Sequence, residues 1–324
     1  MKFKHAIVLL LASLPFVKTN AQEDIVYDQY YWNYYLANPA VAGATRCSHV
    51  LGTFKKQWVG MDDSPMTETV SFRTRILKNV GLGAYFYNDK NGYSLRQGGE
   101  VTFAYHIPLS QSYGYFMKDR DLQRQLSFGI SAVISHYGFD DALFTEDNAD
   151  DVTIANGGKD KGTYFNANFG TYFLWDHFFA GVSFANLLDT ELDELGANEP
   201  VRPLTYFIFA GYAIPANETI EIEPSLMFIG NADSERQLDI NLKYSQELPD
   251  NPDFSYWLQL AYRYCMDSGN SQPLAFSPMG GINWKGFHLG YAYTLGLTNI
   301  QRHNSGTHEI MLGYSWCKAK KFCR

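Results

Sequence analysis

Hydrophobic and polar positions alternate with a period of two along the stretch from Val80 to Ile107. In its first arm, Val80 to Tyr87, aliphatic and aromatic residues occupy every second position, and the second arm, Gly99 to Ile107, repeats the pattern. The residues between the arms, Asn88 to Gly92, are typical of a turn. This pattern predicts an antiparallel hairpin, because neither arm would form an apolar stripe as a helix.

Each arm of this hairpin has about ten residues, the length that a tilted strand needs to cross a bilayer. One face of each arm is aliphatic and aromatic, and the other is small or polar. In a soluble sandwich the apolar face packs inward, whereas in an outer-membrane barrel it faces lipid. Alternation alone is compatible with both arrangements, so other features must decide between them.

The first 21 residues have the pattern of a secretory signal peptide. Lys2 and Lys4 precede the apolar run Ala6–Val17, and small residues end the stretch at Ala21, where cleavage is expected. The apolar run is shorter than the roughly 20 residues that a membrane-spanning helix needs. The pattern therefore predicts an exported chain without a helical anchor.

Between His49 and Trp316, about fourteen stretches share the pattern of the hairpin arms. They predict an all-β protein, a transmembrane outer-membrane β-barrel of about 14 antiparallel strands over residues 49–316, and an even strand number is usual for such barrels. Residues 22–48 are expected to form a periplasmic or plug segment, and residues 317–324 a basic C-terminal tail.

Connections between the predicted strands alternate between short and long. The short ones are Leu77–Asn79, Trp175–His177, Pro215–Asn217 and Lys285–Gly286. Two long acidic connections, Gly138–Gly162 and Leu188–Arg202, fall at the other end of the strands. Because outer-membrane barrels have short periplasmic turns and long external loops, we expect these two loops to face outward. The connection Pro108–Arg124 is an exception, since it is long and falls on the periplasmic side.

Composition agrees with a barrel. The mean hydropathy of -0.25 is far too low for a helical membrane protein, whereas alternating strands average to such a value. The formal net charge of -8 argues against nucleic acid as a partner. Polar residues are predicted on the lumen face at Glu221, Glu223, Asp239, Asn241, Lys243, Gln259 and Arg263. Such charges either line a channel or hold a packed interior together through ion pairs, and both alternatives stay open.

The chain has four cysteines, at positions 47, 265, 317 and 323. Cys317 and Cys323 are close enough in sequence to pair, and such a disulfide would pin the C-terminal tail. No Cys-x-x-Cys motif or His at ligand spacing accompanies the cysteines, so we predict no metal site. We interpret the cysteines as structural or incidental.

No sequence pattern indicates catalysis or cofactor binding. His49, His106, His136 and His308 fall within predicted strands, and none has a Gly-x-Ser-x-Gly motif beside it. Gly157–Thr163 lacks the lysine and the following helix of a phosphate-binding loop. The acidic residues from Asp140 to Asp151 lack the order of a calcium loop. The chain is therefore predicted to be non-enzymatic and to bind no cofactor.

Short motifs along the chain, taken in order, carry a family resemblance. They are Asp28–Asn33, Leu36–Gly43, Lys56–Asp62, Pro65 with Thr67–Ser71, Asn79–Gly83, Asn88–Lys90, Ala104–Ile107, Leu126–Gly129 and Asn304–Leu312. On these motifs the chain resembles the PorP/SprF family of type IX secretion system membrane proteins from Bacteroidetes. The resemblance covers essentially the whole mature chain and includes no catalytic signature.

The resemblance implies a multi-pass barrel in the outer membrane of a Gram-negative bacterium, where it supports secretion and surface attachment of a partner protein. The expected cargo is often a large adhesin with a C-terminal targeting domain, and in gliding relatives that adhesin is displayed on the cell surface. Other expected partners are type IX translocon or periplasmic components and outer-membrane lipid. The alternative is a passive porin or hydrophobic-solute channel.

Twelve family-motif residues are candidates for structural roles or partner contacts. They are Asn38, Pro39, Ala40, Gly43, Gln57, Trp58, Gly60, Asn88, Asp89, Gly306, His308 and Glu309. The segment around Asn38 and Gly43 is expected to plug the lumen, to dock a periplasmic partner or to form a simple turn before the first strand. An ion pair at His308-Glu309 would help to close the barrel. The tail from Cys317 to Arg324 departs from the family pattern.

Overall fold

The computed structural model describes Tyr30 and residues 32–92, 94–109, 124–139, 162–188, 203–231, 235–267 and 271–317. In this part of the chain, fourteen antiparallel strands form one sheet. The strands are β1 (Cys47–Lys56), β2 (Met66–Arg75), β3 (Val80–Asn91), β4 (Ser94–Pro108), β5 (Gln125–Phe139), β6 (Gly162–Trp175), β7 (Phe178–Ala185), β8 (Thr205–Tyr212, continued by Ile214–Pro215), β9 (Ile220–Asn231), β10 (Arg236–Leu248), β11 (Asn251–Cys265), β12 (Gln272–Trp284), β13 (Phe287–Gly296) and β14 (Thr307–Cys317).

The sheet closes on itself into a barrel. Each strand pairs with its neighbours in sequence order, and β14 returns to pair with β1. Across this seam Phe54 lies opposite Ile310, and Cys47 lies opposite Cys317. Closure leaves no free strand edge, which is what a β-structure that spans lipid requires. The predicted all-β barrel of about 14 antiparallel strands is therefore confirmed.

The two faces of the wall are inverted relative to a soluble protein. Along β4, Val101 is 64% exposed and Phe103 is 49% exposed, whereas the alternate residues Thr102, Ala104 and His106 are buried. Successive side chains of a strand point to opposite faces, so the apolar set faces outward and the small or polar set faces the lumen. This is the arrangement of a barrel in a bilayer.

Aromatic side chains gather on the outer face at the end where β14 finishes. The rings of Phe287 and Tyr314 are 4.7 Å apart, and the ring of Trp316 is 5.8 Å from Tyr314 and 6.3 Å from Phe72. All four side chains are exposed. Clustered aromatic rings of this kind mark the level where a barrel meets the membrane interface.

The short connections lie at this same end of the barrel. Leu248 and Asn251 are separated by two residues, as are Trp175 and Phe178. The start of β1 and the finish of β14 lie there too, so by the rule for such barrels it is the periplasmic end. Pro108 and Gln125 are paired at this end as well, in agreement with the predicted side of the connection between them. Most of the two acidic loops lies outside the described residues.

One predicted turn is wrong, because β3 continues through the residues expected to form it. Asn91 is still paired, with Ser94 as its partner. Thr67 Oγ1 donates a hydrogen bond to Asp89 Oδ1 at 2.5 Å, and Gln97 Nε2 donates one to Asn88 Oδ1 at 3.0 Å. Cross-strand bonds of this kind hold residues that usually favour turns within a ladder, so tertiary context overrides local preference.

The pairing of Cys317 with Cys323 that their sequence spacing allows is not the one that forms. Cys317 forms a disulfide with Cys47, which lies 270 positions away in the sequence. Closure of the barrel makes these two residues direct cross-strand neighbours, a relation that sequence proximity does not reveal. Cys265 is buried and forms no disulfide. The barrel thus extends from Cys47 to Cys317, slightly beyond the predicted limits, and residues 1–21 and 318–324 lie outside the described residues.

Polar residues predicted on the lumen face of β9 to β11 are packed rather than solvated. Asp239 and Gln259 are 2% and 4% exposed, and Glu223 and Asn241 are similarly buried. Arg263 Nη2 lies 3.2 Å from Asp239 Oδ2 and forms an ion pair with it. These contacts favour the alternative of a packed interior over that of a channel lining in this part of the wall.

Candidate functional site

Residues 32–46, just before β1, lie inside the lumen. We call residues 32–46 the N-terminal segment. It contains two short 3-10 turns, Tyr34–Leu36 and Pro39–Val41. The side-chain oxygen of Asn38 accepts a hydrogen bond from the backbone N–H of Ala40 at 2.9 Å, and Pro39 fixes the first position of the second turn. The segment therefore folds back compactly instead of extending out of the barrel.

Asn38 also joins the N-terminal segment to the wall. Its amide nitrogen donates to the carbonyl oxygens of Thr171 at 2.9 Å and Val182 at 3.3 Å, on β6 and β7. Ser183 Oγ donates to the carbonyl oxygen of Ala37. Because Asn38 is fully buried, its side chain is satisfied by protein atoms rather than by water.

Further hydrogen bonds hold the first half of the N-terminal segment against β2 and β4. Asn33 Nδ2 donates to Ser71 Oγ at 2.9 Å. The hydroxyl of Tyr35, which is 1% exposed, lies 2.8 Å from Thr102 Oγ1. This half of the segment is therefore tied to wall side chains that its own sequence does not reveal.

Three wall side chains hold the carbonyl groups at the periplasmic end of the N-terminal segment. His106 Nε2 lies 3.0 Å from the carbonyl oxygen of Ala42. Arg75 Nε donates to Gly43 O at 2.7 Å, and Gln125 Nε2 donates to Ala44 O at 2.9 Å. Irregular buried backbone needs such partners because its carbonyls have no ladder of their own. Arg75 and Gln125 are not among the functional candidates that the sequence motifs predict.

Glycines of the wall allow the N-terminal segment to approach closely. A Cβ atom on Gly129 would lie 2.3 Å from the backbone nitrogen of Ala40, and one on Gly81 would lie 2.0 Å from the carbonyl oxygen of Ala42. A Cβ atom on Gly83 would meet the ring of Tyr35, one on Gly170 would meet the side chain of Asn38, and one on Gly181 would meet the ring of Phe209 first and Asn38 Nδ2 at 2.9 Å. No side chain fits at such distances, so these five residues, which we call the glycine cradle, let the backbone and side chains of the segment lie against the backbone of the wall.

Gly43 belongs to the segment and has its own constraint. Its φ is +69°, in the left-handed region, and an added Cβ would lie 2.7 Å from Gly81 Cα. Glycine alone meets both conditions without strain. Gly43 thus forms a specific bend against β3.

Glu100 lies in the lumen on the external side of the N-terminal segment. It is 4% exposed and accepts hydrogen bonds from Thr102 Oγ1 at 3.1 Å and Asn168 Nδ2 at 2.7 Å. Together with Tyr35 and Asn38 it lines a cavity of about 90 Å³. The buried carboxyl group of Glu100 is thus satisfied by hydrogen-bond donors from β4 and β6.

A second group of motif residues meets at the external end of the seam. Val59, next to Trp58, donates its N–H to Gly306 O at 2.9 Å and accepts from Ser305 N at 2.7 Å. Gln57 N donates to Pro65 O at 2.9 Å, within the β1–β2 loop that also contains Gly60. We call residues 57–60 with 305–306 the external rim. Trp58 has a φ of 46°, an uncommon conformation held by this double backbone contact.

His308 and Glu309 point to opposite faces of β14. Glu309 is 3% exposed and lies directly across the seam from Lys55, which is also 3% exposed. His308 Nδ1 lies 2.6 Å from the hydroxyl of Tyr291, and its ring is 5.2 Å from that of Tyr293. Burial of opposite charges at Lys55 and Glu309 places them inside the lumen at the closing pair of strands.

The twelve motif residues therefore fall into separate regions. Asn38, Pro39, Ala40 and Gly43 belong to the N-terminal segment, whereas Gln57, Trp58, Gly60 and Gly306 belong to the external rim. Asn88 and Asp89 lie on the nearby external end of β3, and Gly92 N donates to Asp63 O of the β1–β2 loop at 3.1 Å. A usable sequence signal for the lumen region was the recurrence of glycine at inward positions of neighbouring strands.

The described residues contain no group of three or more His, Cys, Asp or Glu placed to hold a metal ion. Over the same residues, no helix has both the length and the apolar character needed to cross a membrane.

Comparison with known proteins gives a family and a set of structural neighbours. The family model described as "Type IX secretion system membrane protein PorP/SprF" matches residues 19–314. The chain is similar to the CymD monoaromatic hydrocarbon channel at 9% identity, over 88% of this chain and 91% of the other, with a TM-score of 0.50. It is also similar to the toluene transporter TbuX of Ralstonia pickettii, at 10% identity over 88% and 93%, with a TM-score of 0.47. A search of curated proteins returns no match. At these identities the neighbours show the barrel fold alone.

Proposed function

The chain belongs to the PorP/SprF family of type IX secretion system membrane proteins, and from that premise we propose that it supports secretion and surface attachment of a partner protein without catalysing a reaction. Its location is the outer membrane, since the family is a membrane component and the barrel has a lipid-facing exterior. The cargo we propose is a type IX substrate such as a large adhesin, recognised through its C-terminal targeting domain.

The occupied lumen is the observation that carries this proposal. The N-terminal segment is tied to β2, β4, β5, β6 and β7 by side-chain hydrogen bonds, and its residues Tyr35, Asn38 and Ala40 are at most 1% exposed. A passive channel needs a continuous aqueous path, whereas a scaffold needs a rigid barrel that presents surfaces at its two ends. We therefore propose that the N-terminal segment acts as a plug and that the twelve motif residues organise the plug and the external rim.

The external rim is the proposed partner surface on the cell exterior. Its two backbone bonds between Val59 and residues 305 and 306 join the first and last strands above the membrane. A rigid exposed loop of this kind can bind a partner without an ordering cost. The acidic loops at the same end, which would favour basic patches on a partner, extend this proposed surface.

Deletion of the gene tests the secretion role directly. We expect one cargo to disappear from the cell surface while other type IX substrates are still secreted, and expression of the wild-type gene should restore it. Affinity purification of the barrel from detergent-solubilised outer membranes should recover that cargo or a translocon component. Recovery of the barrel alone, with an unchanged surface proteome in the deletion strain, would contradict the proposal.

The alternative function is a passive porin or hydrophobic-solute channel, and one structural neighbour is a hydrocarbon channel by its printed name. Conductance in planar bilayers separates the two functions. We expect the wild-type protein to conduct poorly and a variant lacking residues 32–42 to conduct well. Equal, high conductance of both proteins would favour the channel.

A further inference from the structure

A second cavity, of about 230 Å³, lies on the periplasmic side of the N-terminal segment. It extends from the exposed Arg46 to Phe179 and Trp257, which are 3% and 2% exposed. Its other lining residues come from the N-terminal segment and from the periplasmic halves of strands on both sides of the barrel, for example Leu174 and His288. The volume is far above the roughly 10–15 Å³ that one water needs, so it can hold an organic group.

The described residues that line this cavity contribute positive charge and no carboxylate. Arg46, Arg73 and Lys243 contribute cationic groups, and two histidines contribute imidazoles. Glu223 lies across β9 and β10 from Lys243 and offsets part of that charge, and Arg73 Nη1 donates to Asn33 Oδ1 at 3.3 Å. The formal charges of the three cationic lining residues and of Glu223 still sum to a positive value. Such a concave, low-dielectric site attracts anions.

Aromatic residues also line the cavity, and one of them has an unused hydrogen-bond donor. The rings of Trp32 and Trp257 are 6.4 Å apart, and Lys243 Nζ lies 5.7 Å from the centre of the Trp257 ring. Tyr34 and Tyr172 add two further rings to the wall. The indole N–H of Trp257 is buried and has no hydrogen-bond partner among the described residues. Buried donors of this kind normally find an acceptor, and a carboxylate oxygen is one.

We propose that this cavity is a binding site for an aromatic carboxylate that enters from the periplasm, such as the C-terminal Phe or Tyr of a peptide. The carboxylate would accept charge-assisted hydrogen bonds near Lys243 and the indole N–H of Trp257, while the ring packs against Trp32. A neutral chain end lacks the charge that the basic lining favours. The proposal does not depend on the secretion function, because it rests on the lining of the cavity alone.

Calorimetric titration of the purified full-length barrel in detergent tests the ligand class. The probes are N-acetyl-Gly-Phe with a free carboxylate, the same peptide as its C-terminal amide, and 3-phenylpropionate. We expect the acid peptide to bind at least ten times more tightly than the amide. Tighter binding of the peptide than of phenylpropionate assigns the site to a chain end, whereas equal binding assigns it to free aromatic acids. Equal affinity for acid and amide, or binding of neither, would overturn the proposal.

Three variants locate the binding. Lys243→Gln should weaken the acid peptide at least fivefold and leave the amide unchanged, and Trp257→Phe, which removes the N–H but keeps a ring, should have a similar but smaller effect. Lys78→Gln is the matched control, since it makes the same charge change on an exposed periplasmic turn. If Lys78→Gln lowers the affinity for the acid peptide as much as Lys243→Gln does, the effect comes from general surface charge and the proposed site is rejected. Folding of Lys243→Gln is checked by electrophoresis of the unboiled protein. If this variant fails to fold, Arg46→Gln at the cavity mouth replaces it, and we expect the same weakening of the acid peptide with no change for the amide.

Discussion

The two sides of the barrel wall solve the same problem, an empty lumen, in different ways. On the β3 to β7 side the inward positions are small, with Gly81, Gly129 and Gly170 in the glycine cradle, and the N-terminal segment fills the space. On the β9 to β14 side the wall fills itself, with the buried side chains of Met227, Met311 and Trp257. The segment approaches the backbone of the wall most closely where the wall has no side chains, so the position of the segment is determined by the wall as much as by the segment.

The largest effect is expected from the self-filled side. Arg263→Leu removes the partner of Asp239, which is 2% exposed, and should lower the free energy of unfolding by about 4 kcal/mol, because an uncompensated buried charge remains. The double variant Asp239→Leu/Arg263→Leu should recover most of that loss. Denaturant unfolding in detergent measures both. A double variant no more stable than the single one would show that this side does not depend on charge pairing.

On the segment side, Gly129→Ala is expected to cost about 3 kcal/mol, since its Cβ would lie 2.3 Å from a backbone atom that has no freedom to yield. The matched control is Gly52→Ala, where the nearest atom would be 3.6 Å away. The effect is measured by electrophoresis of samples heated to increasing temperatures, as the temperature at which the band of folded protein is replaced by the band of unfolded protein. Equal shifts for both variants would contradict the close packing of the segment.

Buried amides give a smaller and sharper contrast between the sides. Asn38→Ala removes two hydrogen bonds from the segment to the wall and one within the segment, and should cost about 2 kcal/mol. In Asn241, neither polar side-chain atom has a hydrogen-bond partner among the described residues, so Asn241→Leu should be neutral or stabilising. Denaturant unfolding decides, and a destabilised Asn241→Leu variant would indicate a contact beyond the described residues.

The smallest effect is expected at the periplasmic rim of the segment side. Arg124 donates two hydrogen bonds to Asp176 Oδ2, at 2.8 and 3.1 Å, and lies 4.5 Å from the centre of the Trp175 ring. The hydrogen bonds from Arg124 hold the pKa of Asp176 below its ordinary value of 3.8. The contact between Arg124 and Asp176 therefore stabilises the folded state fully at pH values above the ordinary pKa of Asp176. This stabilisation is lost as the pH falls through the lowered pKa of the folded state.

Tryptophan emission measured against pH reports this transition through Trp175. The change should occur in the acid range below the ordinary pKa in the wild-type protein and be absent in Asp176→Asn, which has no carboxylate to titrate. A change of the same size in the variant would assign the signal to another group.

The wall was predictable from the sequence, because lipid on one side imposes a period of two on every strand. The alternation around Val80 and Ile107 is enough to predict β3 and β4, and the signal peptide and the alternating connection lengths add the prediction that their apolar faces point outward. The extension of β3 to Asn91 was not predictable, since Asn and Asp favour turns locally and only the bonds from Thr67 and Gln97 hold them in a ladder.

The contents of the lumen were less predictable than the wall. Asn38 was a candidate from its motif, but its contacts with Thr171 and Val182 join positions 133 and 144 residues apart. No local pattern encodes such a distance. The roles of Arg75 and Gln125 depend on the path of the N-terminal segment, which is irregular and leaves no periodic signal.

The Cys47–Cys317 disulfide closes the barrel wall covalently between its first and last strands. Hydrogen bonds between strands close the barrel reversibly. The disulfide in addition joins β1 to β14 at the periplasmic mouth, so these two strands cannot separate there while the disulfide is intact. The disulfide therefore blocks a sideways exit of the N-terminal segment between β1 and β14 at this mouth, whereas it leaves an axial exit along the lumen open. Because an oxidising periplasm keeps this disulfide formed, it keeps the sideways route for the N-terminal segment closed at this seam.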